Sequence, residues 1–246
     1  MAAPKETVST SALREIPDLG MFMQRIGPLH PEQLASLAQR TRRSFNLIYV
    51  FEPGTAHANI NKVLDRVRSR YVVIMDDDLV FLTDGWLQKM LDVMQEHEDI
   101  GMLVPFEVKD EKDKDAYLAD PSTNPNCAAH LERISMRPWC PGYVMMFDLD
   151  RLDDLRADES IPGPSGMSDL DLSLQVRSQG FKCACLHDVL VYHPWKPLDR
   201  AWRRRWAIVQ EEDLNELHQA QCRYMHKKWG SFFLQNRNLQ IMEVRA

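Results

Sequence analysis

Apolar positions along this chain fall into two patterns: short unbroken runs, and residues spaced three and four apart. An unbroken run fits a strand buried on both faces, as in the middle of a parallel sheet, whereas the wider spacing fits an amphipathic helix. Phe45 to Phe51 (FNLIYVF) and Tyr71 to Met75 (YVVIM) are of the first kind. Between them, Ile60, Val63, Leu64 and Val67 mark the inner face of a helix over Asn59 to Arg70. Strand, helix, strand predicts a βαβ unit, whose right-handed crossover implies a parallel pair. Further helices are expected over Pro31 to Arg43, with Pro31 in the first turn, over Asp84 to Glu98, and over Met167 to Gln179 after the loop IPGPSG. Gly101 to Phe106, Trp139 to Leu149 and Cys183 to Tyr192 have strand character, and Thr7 to Ala12 a weaker form of it. Residues 107–126 mix both charge signs and end in Pro and Asn, the composition of a mobile surface loop. The stretch Leu198 to Phe233 is helical in pattern and highly charged.

These elements predict an α/β fold, a mostly parallel central sheet flanked by helices, with a helical C-terminal appendage packed on it. The length of 246 residues provides ample core for one large domain. A net charge of −6 argues against wholesale binding of nucleic acid or a membrane surface, and no apolar run approaches the length of a membrane span. The first twenty residues lack the apolar segment of a secretory signal. Five cysteines, an odd number without a CxxC pair, point to a reduced, cytoplasmic protein. Cys183 and Cys185 would share one face of a strand as core residues.

Candidate chemistry gathers where strands end. The run YVVIM breaks directly into Asp76, Asp77 and Asp78. Three adjacent carboxylates repel one another unless a cation or firm hydrogen bonding compensates, and the carboxyl end of a central strand is where open α/β sheets bind ligands. Carboxylate oxygens suit Mg²⁺ and Mn²⁺. A solvated acidic turn is the plainer alternative. Asp169 opens a helix in GMSDLDLSLQVRSQG, as a cap or as a working acid, with Asp171 and Arg177 expected to face outward or pair locally. His193 ends the strand VLVYH. Near the C-terminus, DRAWRRRW with Arg223, Lys227, Lys228 and Trp229 interleaves basic and aromatic residues, a mixture able to hold phosphates and stack on bases or sugars.

In order and spacing, Phe45 to His193 resembles the family 2 glycosyltransferases of the GT-A fold. FNLIYVFEPG resembles their strand-acid turn, VVIMDDDLVF the strand ending in D-x-D, WCPGYVMMFDLDRL the Gly-containing acceptor-side strand, and SDLDLSLQVRSQGFK the Asp-x-Asp-Leu helix start. VLVYHP resembles the closing strand, and RYMHKKWG a Tyr-x-x-Lys-Trp-Gly ending of some members. The resemblance implies a Rossmann-like GT-A catalytic domain over residues 1–197, atypical in 1–44, followed by an extension over 198–246. It implies metal-dependent transfer from a nucleoside-diphosphate sugar, a UDP-sugar favoured, to an acceptor hydroxyl on a saccharide or on another molecule, nucleic acid included. Asp76, Asp78 and His193 would hold Mn²⁺ or Mg²⁺, Asp76 or Asp77 would lie near the ribose, Glu52 would help seat the nucleobase, and Asp169 would be the general base of an inverting displacement.

Two departures stand out. Ser168 occupies the place where the family carries Glu before its Asp, and the usual apolar first strand is not visible in residues 1–20. They leave room for a non-catalytic nucleotide-sugar-binding module. A phosphatase of the haloacid dehalogenase type also places D-x-D after a strand, but wants Thr soon afterwards, where this chain has Leu79-Val80-Phe81.

Overall fold

The computed structural model describes residues 17–22, 31–50, 54–76, 79–123, 132–193 and 211–231. Its centre is β3 (Tyr71–Met75), buried along its whole length. Side chains alternate across a strand, and here Tyr71, Val73 and Met75 enter one apolar core while Val72 and Ile74 enter the other. The same division recurs in β7 (Val144–Asp148) and in β8 (Lys182–Tyr192). Cys183 and Cys185 are both buried on one face of β8, as expected of core residues.

Eight strands form one sheet among the described residues, in the order β2 (Asn46–Val50), β1 (Asp18–Phe22), β3, β7, β5 (Ile100–Val108), β8 and β4 (Val80–Phe81), with β6 (Ile134–Arg137) paired to β8. β1 pairs in parallel with both β2 and β3. The βαβ unit read from the sequence therefore exists, but its two strands are separated by β1 and are not neighbours. The sheet is also mixed. β7 runs antiparallel between β3 and β5, and β4 and β6 run antiparallel to β8. β6 and β7 follow one another without an intervening helix, and both run opposite to β3, β5 and β8. β1, β2, β3, β5 and β8 nevertheless point the same way and end on one edge.

On one face, α1 (Pro31–Arg40) and α3 (Trp86–Glu96) contribute Leu37, Trp86, Leu87 and Met90 to the core. On the other lie α2 (Ala56–Leu64), capped where Thr55 Oγ1 accepts Ala58 N–H at 3.1 Å, and α5 (Ser168–Ser178). α5 has two apolar faces. Leu172 and Val176 meet the sheet, whereas Leu170 and Leu174 meet Cys222 and Met225 of α6 (Glu211–Trp229). α6 is thus the outer layer of a helix sandwich.

The stretch expected to be a surface loop contains a helix instead, α4 (Glu111–Ala119). Asp110 caps it by accepting Lys112 N–H at 2.8 Å, Glu111 and Asp113 complement its dipole, and Tyr117 packs with Leu82, Val108 and Leu190. The weak strand expected over Thr7 to Ala12 and the boundary expected after residue 197 lie outside the described residues. No described helix is long and apolar enough to cross a membrane.

At the sheet edge opposite the strand ends, Asp148 is fully buried between two guanidiniums. Arg70 donates to both its oxygens, at 3.0 and 2.7 Å, and Arg151 Nε lies 3.0 Å from Oδ2. Arg151 also donates to the carbonyls of Met94, His97 and Ile100, tying β7 to the end of α3. Removing the shared acid would leave two cations facing a desolvated gap, so Asp148→Ala should cost about 3–5 kcal/mol, read as a lower urea midpoint at unchanged m-value.

Candidate active site at the carboxyl edge of the sheet

Asp76 continues β3 beyond its last paired residue, and its backbone is held from two sides. Its N–H donates to the Tyr143 carbonyl at 3.0 Å, and its own carbonyl accepts Nε2 of the buried Gln33 of α1 at 2.8 Å. His193 continues β8 onto the same edge, its N–H donating to the Val108 carbonyl at 3.2 Å. The imidazole lies between two acids. Nδ1 is 3.0 Å from Glu107 Oε1, and Nε2 is 4.0 Å from Asp76 Oδ2. A carboxylate at Nδ1 selects the tautomer that carries its proton there and turns the Nε2 lone pair toward Asp76. Tyr143 flanks the ring at 5.9 Å between centroids. Its hydroxyl donates to the Pro105 carbonyl at 2.7 Å, and burial pushes the phenol well above its usual pKa, so it stays protonated.

Asp169 reaches this edge through the turn that precedes β7. It lies in the first turn of α5, which begins at Ser168, so it is not the helix cap. Gly142 packs directly on it: a Cβ at Gly142 would stand 3.1 Å from Asp169 Cβ, tighter than ordinary contact. Gly142 is adjacent in sequence to Tyr143, whose carbonyl holds Asp76, so two contacts and one peptide bond join the two acids. Asp169 is half-buried, its Oδ1 accepts Leu170 N–H at 2.9 Å, and its carbonyl accepts Ser173 Oγ at 2.7 Å. Burial raises its pKa above the usual aspartate value, against the opposing pull of the N–H groups of Leu170, Asp169 itself and Gly142.

Asp76, His193 and Asp169 are thus brought to one edge. Glu52, Asp77 and Asp78 lie outside the described residues, as do residues 199–206 of the basic-aromatic stretch. Among the described residues no group of three His, Cys, Asp or Glu side chains converges as a cation site by itself. The carboxylate and imidazole donors of Asp76 and His193 still fit a Mn²⁺- or Mg²⁺-binding set, because the Glu107 contact orients the ring as metal-ligating histidines are oriented. The sequence reading missed Glu107, assigned to a loop although it extends the strand that begins at Ile100. Asp171 also departs from expectation. It is fully buried, accepting Gln175 Nε2 at 2.7 Å and Trp229 Nε1 at 2.8 Å, with Lys228 Nζ at 2.8 Å. Arg177 donates to the carbonyl of Pro138, 39 residues earlier in the chain, at 3.0 Å, a long-range contact where a local one was expected.

Residues 30–149, just under half the chain, match the model of glycosyl transferase family 2. The chain has a GT-A fold, and the matched residues within it are similar to glycosyl transferase family 2. One similar solved structure is GalNAc-T7 with UDP, GalNAc and Mn²⁺: TM-score 0.54, 8% identity, covering 74% of this chain and 44% of that one. Another is the mannosyltransferase PcManGT from Pyrobaculum calidifontis in complex with GDP-Man and Mn²⁺: TM-score 0.52, 16% identity, covering 83% of this chain and 64% of that one. This chain therefore spans less than two thirds of either neighbour. No curated protein matches it significantly in sequence. The family match includes Glu52 and Asp76 to Asp78, and ends before Asp169 and His193. At this level of identity the neighbours speak for the fold alone.

The environment of Asp169 sets a pH dependence. A carboxyl whose folded pKa is raised binds its proton more tightly folded than unfolded, so its contribution to stability is present at low pH and lost as pH rises through the raised value. Asp169→Asn, which keeps the acceptor for Leu170 N–H and removes the charge, should melt above wild type at pH 7. The gap should close below about pH 4, where the unfolded carboxyl is also protonated; thermal melts across pH measure both.

Proposed function

We propose that this protein transfers a sugar from a nucleoside-diphosphate sugar, a UDP-sugar by preference, to an acceptor hydroxyl, with a divalent cation and with inversion at the anomeric carbon. The observation that carries this reading is the approach of Asp76 and His193 from the ends of two separate strands, with Asp169 one turn of chain away behind Gly142. Asp76, Asp78 and His193 are the residues that would hold Mn²⁺ or Mg²⁺. What such a cation supplies is neutralisation of the charge that develops on the departing diphosphate.

The chain's own groups do the rest. Glu107 fixes the tautomer of His193 through Nδ1. Asp76 or Asp77 would contact the ribose, and Glu52 would help seat the base. Asp169 takes the proton of the attacking hydroxyl, and its raised pKa suits a proton acceptor better than an ordinary aspartate would. A lone carboxylate beside the acceptor, without a covalent nucleophile, favours a single inverting displacement. Residues 1–197 constitute the catalytic unit in this reading, and the acceptor is a saccharide or another hydroxyl-bearing molecule, nucleic acid included.

Ser168, in place of the family's Glu, favours a second reading in which the same fold binds a nucleotide sugar without transferring it. A panel of UDP-, GDP-, dTDP- and CDP-sugars with and without Mn²⁺, scored for binding and for hydrolysis or transfer, separates the two. Asp78→Ala should abolish metal-dependent donor binding. Asp169→Ala should retain it and lose transfer; a rate near wild type would remove Asp169 from the role of base. If donors bind with Mn²⁺ and no acceptor or water is ever glycosylated, the binding-module reading holds instead.

Glu107 offers an independent check. Glu107→Gln replaces the carboxylate that orients His193 with an amide of the same shape. It should weaken Mn²⁺ affinity about 10- to 100-fold, measured by calorimetric titration, with the fold unchanged by circular dichroism.

A further inference from the structure

We infer that Lys228 and Trp229, at the end of the C-terminal helix, are positioning residues for Asp169. This rests on the reading of Asp169 as the base. It follows from how the start of α5 is held. Met167, just before the helix, has φ +60°, and the helix receives no side-chain cap there. What fixes this turn comes from α6. Both side-chain oxygens of Asp171, fully buried, are satisfied: Oδ2 by Gln175 of its own helix, and Oδ1 by Trp229 Nε1 and Lys228 Nζ, each at 2.8 Å. Lys228 also reaches Asp158 Oδ2 at 2.7 Å, and Tyr224 donates its hydroxyl to the same oxygen at 2.8 Å. Burial opposes the charge of Lys228, but the hydrogen bonds to Asp158 and Asp171 outweigh it and raise its pKa, so the ammonium remains charged.

About two turns before Lys228 in α6, Gln221 Nε2 donates to the carbonyls of Pro162 and Ser165, at 2.8 and 2.7 Å. Leu217 lies so close over Gly163 that a Cβ there would sit 2.7 Å from its Cδ1. From the opposite side, His57 Nε2 contacts the Gly166 carbonyl at 3.1 Å, and Ala56 N–H donates to that of Pro164 at 2.8 Å. The loop feeding α5 is therefore gripped between α2 and α6, and its first turn is locked by the Lys228-Trp229 pair. Apart from the Gly142 turn, which packs on it, Asp169 is held by the first turn of α5, through its contacts to Leu170 and Ser173. Its place relative to an acceptor is inherited from that turn, and displacement of a reacting group by about 1 Å can cost on the order of 100-fold in rate.

The experiment uses the full chain and compares Trp229→Phe, Lys228→Met and Lys228→Arg with wild type. Trp229→Phe removes one donor while keeping the ring; Lys228→Arg keeps the charge and tests rescue. Transfer kcat should fall about 10-fold or more in Trp229→Phe and Lys228→Met, with Mn²⁺-dependent UDP binding unchanged, and recover in Lys228→Arg. NMR titration of the Asp169 carboxyl, which needs no activity, should show its midpoint falling toward the ordinary aspartate value as the turn loosens. Wild-type kcat and an unmoved Asp169 midpoint in Trp229→Phe, with only a lower Tm, would reduce α6 to a structural support and overturn the inference. Should Asp169→Ala transfer normally, the base assignment fails by itself, and the titration still decides whether α6 holds Asp169.

Discussion

The site depends on one reversal of chain direction. β7 runs against its neighbours in the middle of the sheet, so the turn before it, Cys140 to Tyr143, arrives at the edge where β3, β5 and β8 end. A parallel strand in that position would deliver its amino end to the opposite edge, where Asp148 and its arginines stand. Because of the reversal, the Tyr143 carbonyl can take the Asp76 N–H and Gly142 can lie against Asp169. Two segments almost a hundred residues apart are thereby joined by a dipeptide. The approach is close: a Cβ at Gly142 would stand 3.1 Å from the Asp169 Cβ, so a side chain there would push Asp169 aside by a few tenths of an ångström.

The same edge concentrates negative charge. Asp76 and Glu107 face the two nitrogens of one imidazole, with the acids after Asp76 next in sequence. Like charges so placed raise the free energy of the folded chain unless a cation joins them. Lys109, 3.5 Å from Glu107, offsets part of this. Such sites are kept rigid by neighbours that carry no charge, and here these are the hydrogen bonds of Gln33, Tyr143 and the Val108 carbonyl. Stability stored in the two-faced core of β3 supports an arrangement that is unfavourable by itself.

What the sequence reveals, it reveals through burial. β3 is legible because both its faces are apolar, and the acids after it are conspicuous by contrast. β1 is not, since Asp18–Phe22 is short and contains a glycine, and its place is set by pairing on both sides. α4 is hidden because its only buried residue is Tyr117, too few apolar positions to show a period. Glu107 and Asp171 are misjudged for one reason: an acid reads as surface until its partner is known, and those partners, His193 and Lys228, lie far along the chain. α5 is instructive in the other direction. LDLSLQV alternates like a strand, yet forms a helix because its leucines serve two faces, sheet and α6.

That double burial also explains how two aspartates of a single helical turn come to differ. Residues two apart on an α-helix stand about 200° from one another around its axis. With the apolar flanks of α5 occupied by sheet and α6, Asp169 and Ser173 share one remaining side, and Asp171 and Gln175 the other. On the first side lie the Gly142 turn and the sheet edge, with backbone N–H groups as the donors near Asp169. On the second side an ammonium and an indole N–H close over Asp171. A carboxylate met by a cation and fully satisfied has no capacity left to accept a proton from a substrate. One half-buried and met only by amides keeps that capacity, and burial strengthens it.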